Sequence, residues 1–254
     1  MILSSNMSKI NFDFYDERYI VAGASSGIGR EIALELANAG ASVLAIGRNE
    51  ERLKELRKQN EKNIFSASVD ITNTFALEEA IKNFTQSSGK LKGGVFSAGI
   101  FGLTPVKSYD HQLAEQIMRV GFWSALEFLR LITKSKYSVD AASIVFLSSI
   151  AANTNEKGLL IYSAVKAAIN SVVKTAAKEI ASKDHRINSI CPGWIISPMT
   201  EEFLASDNMQ SIKQQHLLGL GKTSDVASMT FFLLSDSARW ITGANIIVDG
   251  GYTS

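Results

Sequence analysis

The sequence predicts an α/β fold: one doubly wound sheet of seven parallel strands with helices on both faces. Three observations predict it. Short β-branched or apolar runs alternate with longer amphipathic ones along all 254 residues, the order of repeated β-α units. Several short runs are apolar on both faces, as strands covered by helices on each side must be. No repeat, low-complexity tract or linker breaks the alternation, and one α/β domain of this length is ordinary.

In chain order, the strands fall at Tyr19–Ala22, Val43–Ile46, Ile64–Val69, Gly94–Ala98, Ser143–Leu147, Arg186–Ile190 and Asn245–Val248. Helical patterns lie between them at Ile28–Ala39, Glu50–Gln59, Phe75–Gln86, Gln112–Thr133, Leu160–Ser182 and Ser224–Ser235. The fifth of these helices is marked most clearly. Ile161, Val165, Ile169, Val172, Val173, Ala176 and Ile180 form a stripe at helical spacing that faces a core. The stretch Trp194–Gly221 has no regular period and is expected to hold short helices or a lid. Residues 1–16, polar and mixed in charge, are expected to be an N-terminal extension to a single domain spanning 17–254.

Composition excludes several classes of function. Charge is nearly balanced, 26 basic against 25 acidic residues, so nothing asks for nucleic acid or an anionic membrane. No apolar run approaches bilayer length, and residues 1–16 contain no signal-like segment. The single cysteine, Cys191, rules out an internal disulfide and suits a reducing cytosol. His111, His185 and His216 are widely separated, without metal-ligand spacing. A cytoplasmic, metal-free protein is expected.

The first strand runs into Gly23-Ala24-Ser25-Ser26-Gly27-Ile28-Gly29, and then a helix. Glycines there let the backbone approach a pyrophosphate lying at the positive end of the helix. The spacing is Gly-x3-Gly-x-Gly rather than the common dinucleotide G-x-G-x-x-G. The same letters also match G-x-S-x-G, a nucleophile elbow with Ser25 as nucleophile. An elbow normally follows several strands, and no His stands at an obvious strand-end loop, so the dinucleotide reading is preferred. A tight turn without a ligand is the bland third reading.

The second strand ends at Gly47-Arg48, eighteen residues beyond Gly29. An acid here would bind a ribose 2′-hydroxyl, whereas an Arg accommodates a 2′-phosphate. NADP(H) is therefore favoured over NAD(H), although an Arg opening a charged helix would look the same. Further on, Tyr162 and Lys166 lie four apart and share a helix face. A phenol beside an ammonium is expected to have its pKa lowered and to suit a proton donor and acceptor; a Tyr half in the core beside a Lys reaching solvent is the bland alternative.

With these residues in hand, the chain resembles the short-chain dehydrogenase/reductase family, and within it the branch that includes 3-oxoacyl-carrier-protein reductases. Its marks are Gly23-x3-Gly27-Ile28-Gly29, Asp70, Ser97-Ala98-Gly99, Ser148-Ser149, Tyr162-x3-Lys166, Asn188 with Pro192-Gly193, and Thr242-Gly243 with Asp249-Gly250-Gly251. The resemblance implies a Rossmann-type domain and a catalytic set of Ser149, Tyr162 and Lys166. Tyr162 would protonate the carbonyl oxygen, Ser149 would hydrogen-bond it, and Lys166 would lower the Tyr pKa and hold the nicotinamide ribose. Cofactor contacts would come from Gly23, Ser25, Ser26, Gly27, Ile28, Gly29, Arg48, Asp70, Ile71, Ser97, Ala98, Gly99, Tyr162, Lys166, Pro192, Gly193 and Ile195. The implied reaction is hydride transfer between the nicotinamide and a ketone or secondary alcohol, with a 3-oxoacyl thioester among the candidates.

Three positions depart from the family pattern: Ala22 replaces a Thr, Phe96-Ser97 replaces Asn-Asn, and Gly121 stands where the family carries an Asn of its proton relay. Gly121 predicts a slower reaction, or a relay rebuilt from water. These departures keep open a second reading, a non-catalytic dinucleotide-binding regulator on the same fold. The substrate, a small molecule, is expected above the nicotinamide. Its walls would come from Ile100–Thr104, Asn153–Leu159 and Ile195–Leu220, with Phe101, Leu103, Leu159, Leu160, Trp194, Phe203, Leu204, Leu217 and Leu218 as apolar members. The resemblance also suggests a homotetramer, with interfaces on Gln112–Thr133, Leu160–Ser182 and Ile246–Tyr252.

Overall fold

The computed structural model describes residues 12–201 and 209–254. Seven strands form one wholly parallel sheet in the order β3-β2-β1-β4-β5-β6-β9. They are β1 Arg18–Ala22, β2 Ser42–Gly47, β3 Ile64–Ser68, β4 Leu91–Phe96, β5 Ser138–Leu147, β6 Arg186–Pro192 and β9 Asn245–Val248. The order reverses between β1 and β4, and such a switch point opens a crevice at the carboxyl ends of the strands. Alternation along β1 shows how the sheet is covered. Tyr19 and Val21 face a core built with Ile32, Leu36 and Val226, whereas Ile20 and Ala22 face a second one with Ile81, Phe128 and Val173.

The helices on the first face are α1 Gly27–Asn38, α2 Glu50–Gln59 and α9 Thr223–Leu234; those on the second are α3 Thr74–Ser88, α4 His111–Met118, α5 Ser124–Ile132 and α7 Leu160–Ile180. Local chemistry sets several starts. Asn49, Asn73 and Asp110 accept backbone N–H bonds from the first turns of α2, α3 and α4. The start of α7 is capped from a distance, Thr104 Oγ1 accepting the Ile161 N–H at 3.0 Å.

The expected single helix 112–133 is interrupted. Arg119–Trp123 forms one π turn between α4 and α5, and the Ser124 hydroxyl donates to the Arg119 carbonyl at 2.9 Å. Gly121 lies buried in that turn, where a Cβ would meet Val165 Cγ1 of α7 at 2.8 Å. The glycine thus allows α7 to approach closely.

Packing begins before residue 17. Phe14, assigned to the expected extension, is 2 % exposed in the core, with its N–H on the Ala39 carbonyl. Residues 1–11 of that extension lie outside the described residues. Between β6 and α9 the chain makes short strands β7 Ile195–Ile196 and β8 Gly221–Lys222, which pair, and helix α8 Met209–Gln215. A four-residue helix, α6 Ala151–Thr154, precedes α7.

Candidate active site

The strand ends β1, β2, β4, β5 and β6 surround a cleft of about 250 Å³. The first turn forms its floor. Gly23 has φ +86, and a Cβ there would strike Ala98 N at 2.7 Å; one at Gly29 would meet the Gly23 carbonyl oxygen at 2.4 Å. Only glycine lets β1, α1 and the loop after β4 converge this tightly. The first turn of α1 carries no acidic residue, so its N–H groups face the cleft without a competing carboxylate.

At one end stand Arg48 and Asp70. Asp70 Oδ1 accepts the Thr72 N–H at 2.9 Å and its hydroxyl at 2.8 Å. The Thr72 N–H bond, with help from the Thr72 hydroxyl and the Arg48 charge, holds this carboxyl below its usual range despite burial acting the other way. The Arg48 guanidinium forms no ion pair with the described residues.

At the other end are Tyr162 and Lys166 of α7. Two bonds fix Lys166 against the end of β5: its ammonium donates to the Leu147 carbonyl at 2.7 Å, and Ser148 Oγ donates to the Lys166 carbonyl at 3.0 Å. Burial pushes the Lys166 amine down to about 8. The Tyr162 phenol is pushed up to about 12, chiefly by burial; a hydrogen bond with Ser149 opposes this, and the Glu156 charge adds to it. This corrects the expectation that Lys166 lowers the Tyr pKa. The ammonium is turned to Leu147, 5.5 Å from the Tyr162 ring centroid, and desolvation of the phenol dominates.

Tyr162 also lines a second, smaller cavity of about 60 Å³, together with Ser149, Phe101, Glu156, Leu159 and Trp194. Tyr162 is the one titratable side chain that borders both cavities among the described residues. The Tyr162 phenol and Ser149 hydroxyl can therefore act on an oxygen held at the junction, with the Lys166 ammonium in the larger cleft.

Of the residues expected at a cofactor, Gly23, Ser25, Ser26, Gly27, Ile28, Arg48, Asp70, Ile71, Ser97, Ala98, Gly99, Tyr162, Lys166 and Pro192 line the cleft. Gly29 lies beneath it, against Gly23. Gly193 and Ser149 line the smaller cavity instead. Ile195 lines neither and is buried in the core beside Val226. The cleft also includes Val69, Val120, Leu147, Ser197 and Met199, which carry no motif. Among the expected substrate walls, Leu217 and Leu218 are exposed and line neither cavity; Phe203 and Leu204 lie outside the described residues.

No histidine lines the cleft that holds Ser25, so the nucleophile-elbow reading lacks a base there. Among the described residues no helix is long and apolar enough to cross a membrane, and no cluster of His, Cys, Asp or Glu is arranged to hold a metal ion.

Comparison with known proteins agrees with this architecture. A family model described as enoyl-(acyl carrier protein) reductase matches residues 23–253. L-xylulose reductase of Caenorhabditis elegans is 30% identical, over 96% of this chain and 98% of its own. A 3-oxoacyl-(acyl-carrier-protein) reductase of Staphylococcus epidermidis is 29% identical, over 91% and 97%. The solved structure of a short-chain type dehydrogenase/reductase from Mycobacterium ulcerans superposes with a TM-score of 0.89 at 31% identity, covering 94% of this chain and 90% of that one. Family match, relatives and fold agree: the chain belongs to the short-chain dehydrogenase/reductase family of oxidoreductases.

Proposed function

We propose that this chain is an NADP(H)-dependent reductase of small ketones, working also in reverse on secondary alcohols, with Tyr162 as its acid and base. The observation that carries the reading is the position of Tyr162 between the two cavities, with Ser149 on one side and Lys166 on the other. The residues fit a dinucleotide: the Gly23–Gly29 cradle leaves the α1 N-terminus open to a pyrophosphate, and Arg48, without an ion pair among the described residues, stands at the end where a 2′-phosphate would lie. The nicotinamide supplies the hydride.

The protein's part is position and the proton. Ser149 and Tyr162 donate to the carbonyl oxygen, whose negative charge grows in the transition state, and Tyr162 then gives up its proton. Its raised pKa keeps the phenol protonated at neutral pH, which suits the reductive direction. Lys166, mostly charged at pH 7, offsets the phenolate left behind and offers its remaining protons to the nicotinamide ribose. Gly121 supplies no side chain to a proton relay, so turnover slower than the family's is expected. A 3-oxoacyl thioester remains among the substrates to try.

We propose a homotetramer in the cytoplasm. Trp123, Leu160 and Ile247 stand 58%, 46% and 47% exposed on the segments expected to form its interfaces, and Cys191 is a free, buried thiol. A monomeric mass in solution scattering would end the tetramer reading.

The deciding test follows NADPH and NADH consumption against a panel of ketones and 3-oxoacyl thioesters, with Tyr162→Phe as control. Turnover with NADPH that collapses in the mutant supports the reading. Tight NADPH binding without turnover on any member would favour the regulator.

A further inference from the structure

The smaller cavity holds one charged side chain that the reaction does not use. Glu156 lines it beside Phe101, Leu159 and Trp194, and no Lys, Arg or His does so among the described residues. No cation lies within ion-pair distance of Glu156 among those residues. Its carboxylate accepts one hydrogen bond, from Tyr252 Oη at 3.0 Å. That contact is braced. The Tyr252 ring lies 4.6 Å from the His216 ring, and His216 Nε2 accepts the Trp194 N–H at 3.2 Å. The C-terminal turn thus ties together the two walls that carry Glu156 and Trp194.

Glu156 is half-buried, facing Phe101, Leu159 and Trp194 on this side, and a carboxylate on an apolar wall is better off with a donor or cation beside it. The same charge acts on Tyr162, so the two groups share one space. We propose that Glu156 is a specificity-determining residue that receives an ammonium or hydroxyl group of a small carbonyl substrate and rejects carboxylate- or phosphate-bearing ones. This rests on the reductase reading for the position of the carbonyl. With the carbonyl oxygen at Ser149 and Tyr162, the charged group lining the same cavity is Glu156. Phe101 and Trp194 add aromatic rings to the same cavity, a lining that suits an ammonium.

Four ketones of one ring size test it: cyclohexanone, 4-hydroxycyclohexanone, 4-(dimethylamino)cyclohexanone and 4-oxocyclohexane-1-carboxylate. Their binding to the full chain, with NADP+ present, is measured by ligand-observed NMR titration at pH 7. Parallel samples with NADPH record turnover. The protonated amine should bind about tenfold to a hundredfold more tightly than the carboxylate. The hydroxyl compound should fall between the amine and cyclohexanone if the ammonium is the better donor, and level with the amine if any donor suffices.

Glu156→Gln keeps an acceptor for Tyr252 and should shrink the gap between amine and carboxylate to within about threefold. Tyr252→Phe, which leaves the charge, should retain it. A carboxylate preference, equal affinities, no binding of either, or a gap that survives in Glu156→Gln would each overturn the proposal. A charge preference without NADPH oxidation would sink the reductase reading while leaving the role of Glu156 standing. Turnover without charge preference would do the reverse.

Discussion

Restoring the family's Asn at position 121 should harm this protein unless Val165 is trimmed with it. A Cβ at Gly121 would sit 2.8 Å from Val165 Cγ1, against a comfortable carbon–carbon separation of about 3.5–4.0 Å. Val165 is 1% exposed and branched at Cβ, so it cannot swing aside. Relief requires a displacement of about 1 Å between the π turn and α7, and overpacking of this kind costs about 1–3 kcal/mol. Replacing a helical glycine returns up to about 1 kcal/mol. Gly121→Ala should therefore lose about 1 kcal/mol, and Gly121→Asn, with a larger side chain to place, about 2 kcal/mol. Val165→Ala alone should lose a similar amount through the cavity it leaves. In the double variant the new side chain occupies that cavity, and the losses should fall short of their sum by more than about 1 kcal/mol. Urea midpoints at unchanged slope measure this, with roughly 1 M separating Gly121→Asn from the parent. Because Val165 adjoins Lys166, kcat of the single Asn variant should fall and that of the double should recover. Single variants as stable as the parent, or losses that add within about 0.5 kcal/mol, would refute the packing argument.

The buried Lys166 amine, pushed down to about 8, keeps its charge at pH 7 and loses it as pH rises through that value, whereas Tyr162 stays protonated to about 12. Reductive kcat/KM should accordingly fall with a midpoint near pH 8; Lys166→Arg should move the limb upward, and a limb unmoved by that change would assign it elsewhere. Arg48→Asp should weaken NADPH binding by about tenfold or more and improve NADH binding, read by cofactor fluorescence, since a carboxylate repels the 2′-phosphate and accepts a 2′-hydroxyl. Unchanged NADPH affinity would remove Arg48 from the site. Gly29→Ala places a Cβ 2.4 Å from the Gly23 carbonyl oxygen, so the first turn must open; cofactor fluorescence should disappear, and a variant binding normally would show that the cradle is softer than its contacts imply.

Much of the fold could be read from letters because period and punctuation coincide. All seven strands and the limits of the six main helices fall within a few residues of the expected ranges, apart from β5, which begins five residues early. That early start passes through Ala141 at φ +57, a local kink with no sequence period. The π turn was hidden because it answers a tertiary contact, Val165 against Gly121, not a pattern within 112–133. The cleft's glycine and polar residues were legible because close approach and phosphate geometry demand particular residue types. Val69, Val120, Leu147 and Met199 were not, since an apolar side chain reads the same in a wall as in a core. Ile195, Leu217 and Leu218 misled for the same reason. Spacing gives the proximity of Lys166 and Tyr162 and leaves the desolvation of the phenol unstated.

Of the residues that depart from the family pattern, Ala22, Phe96 and Gly121 are buried, whereas Ser97 lines the cleft. Phe96, where the pattern has an Asn, is 2% exposed and packs its ring 5.5 Å from Phe128 and 5.6 Å from Phe146. Val120 and Phe122, on either side of Gly121, pack against the same core, to which Ile169 of α7 belongs. An amide left alone in such a layer would lose its partners, at about 1–3 kcal/mol for each unsatisfied group. Once one amide gives way to an apolar side chain, its neighbours gain by following. Phe96, Val120 and Phe122 thus share one apolar core, and the Lys166 ammonium donates to the Leu147 backbone carbonyl. With no side chain at Gly121 to carry a relay, protons that Lys166 and Tyr162 exchange with solvent should pass through the cleft that both line. Exchange should slow when that cleft is filled, which makes the rate of proton resupply between turnovers depend on product release.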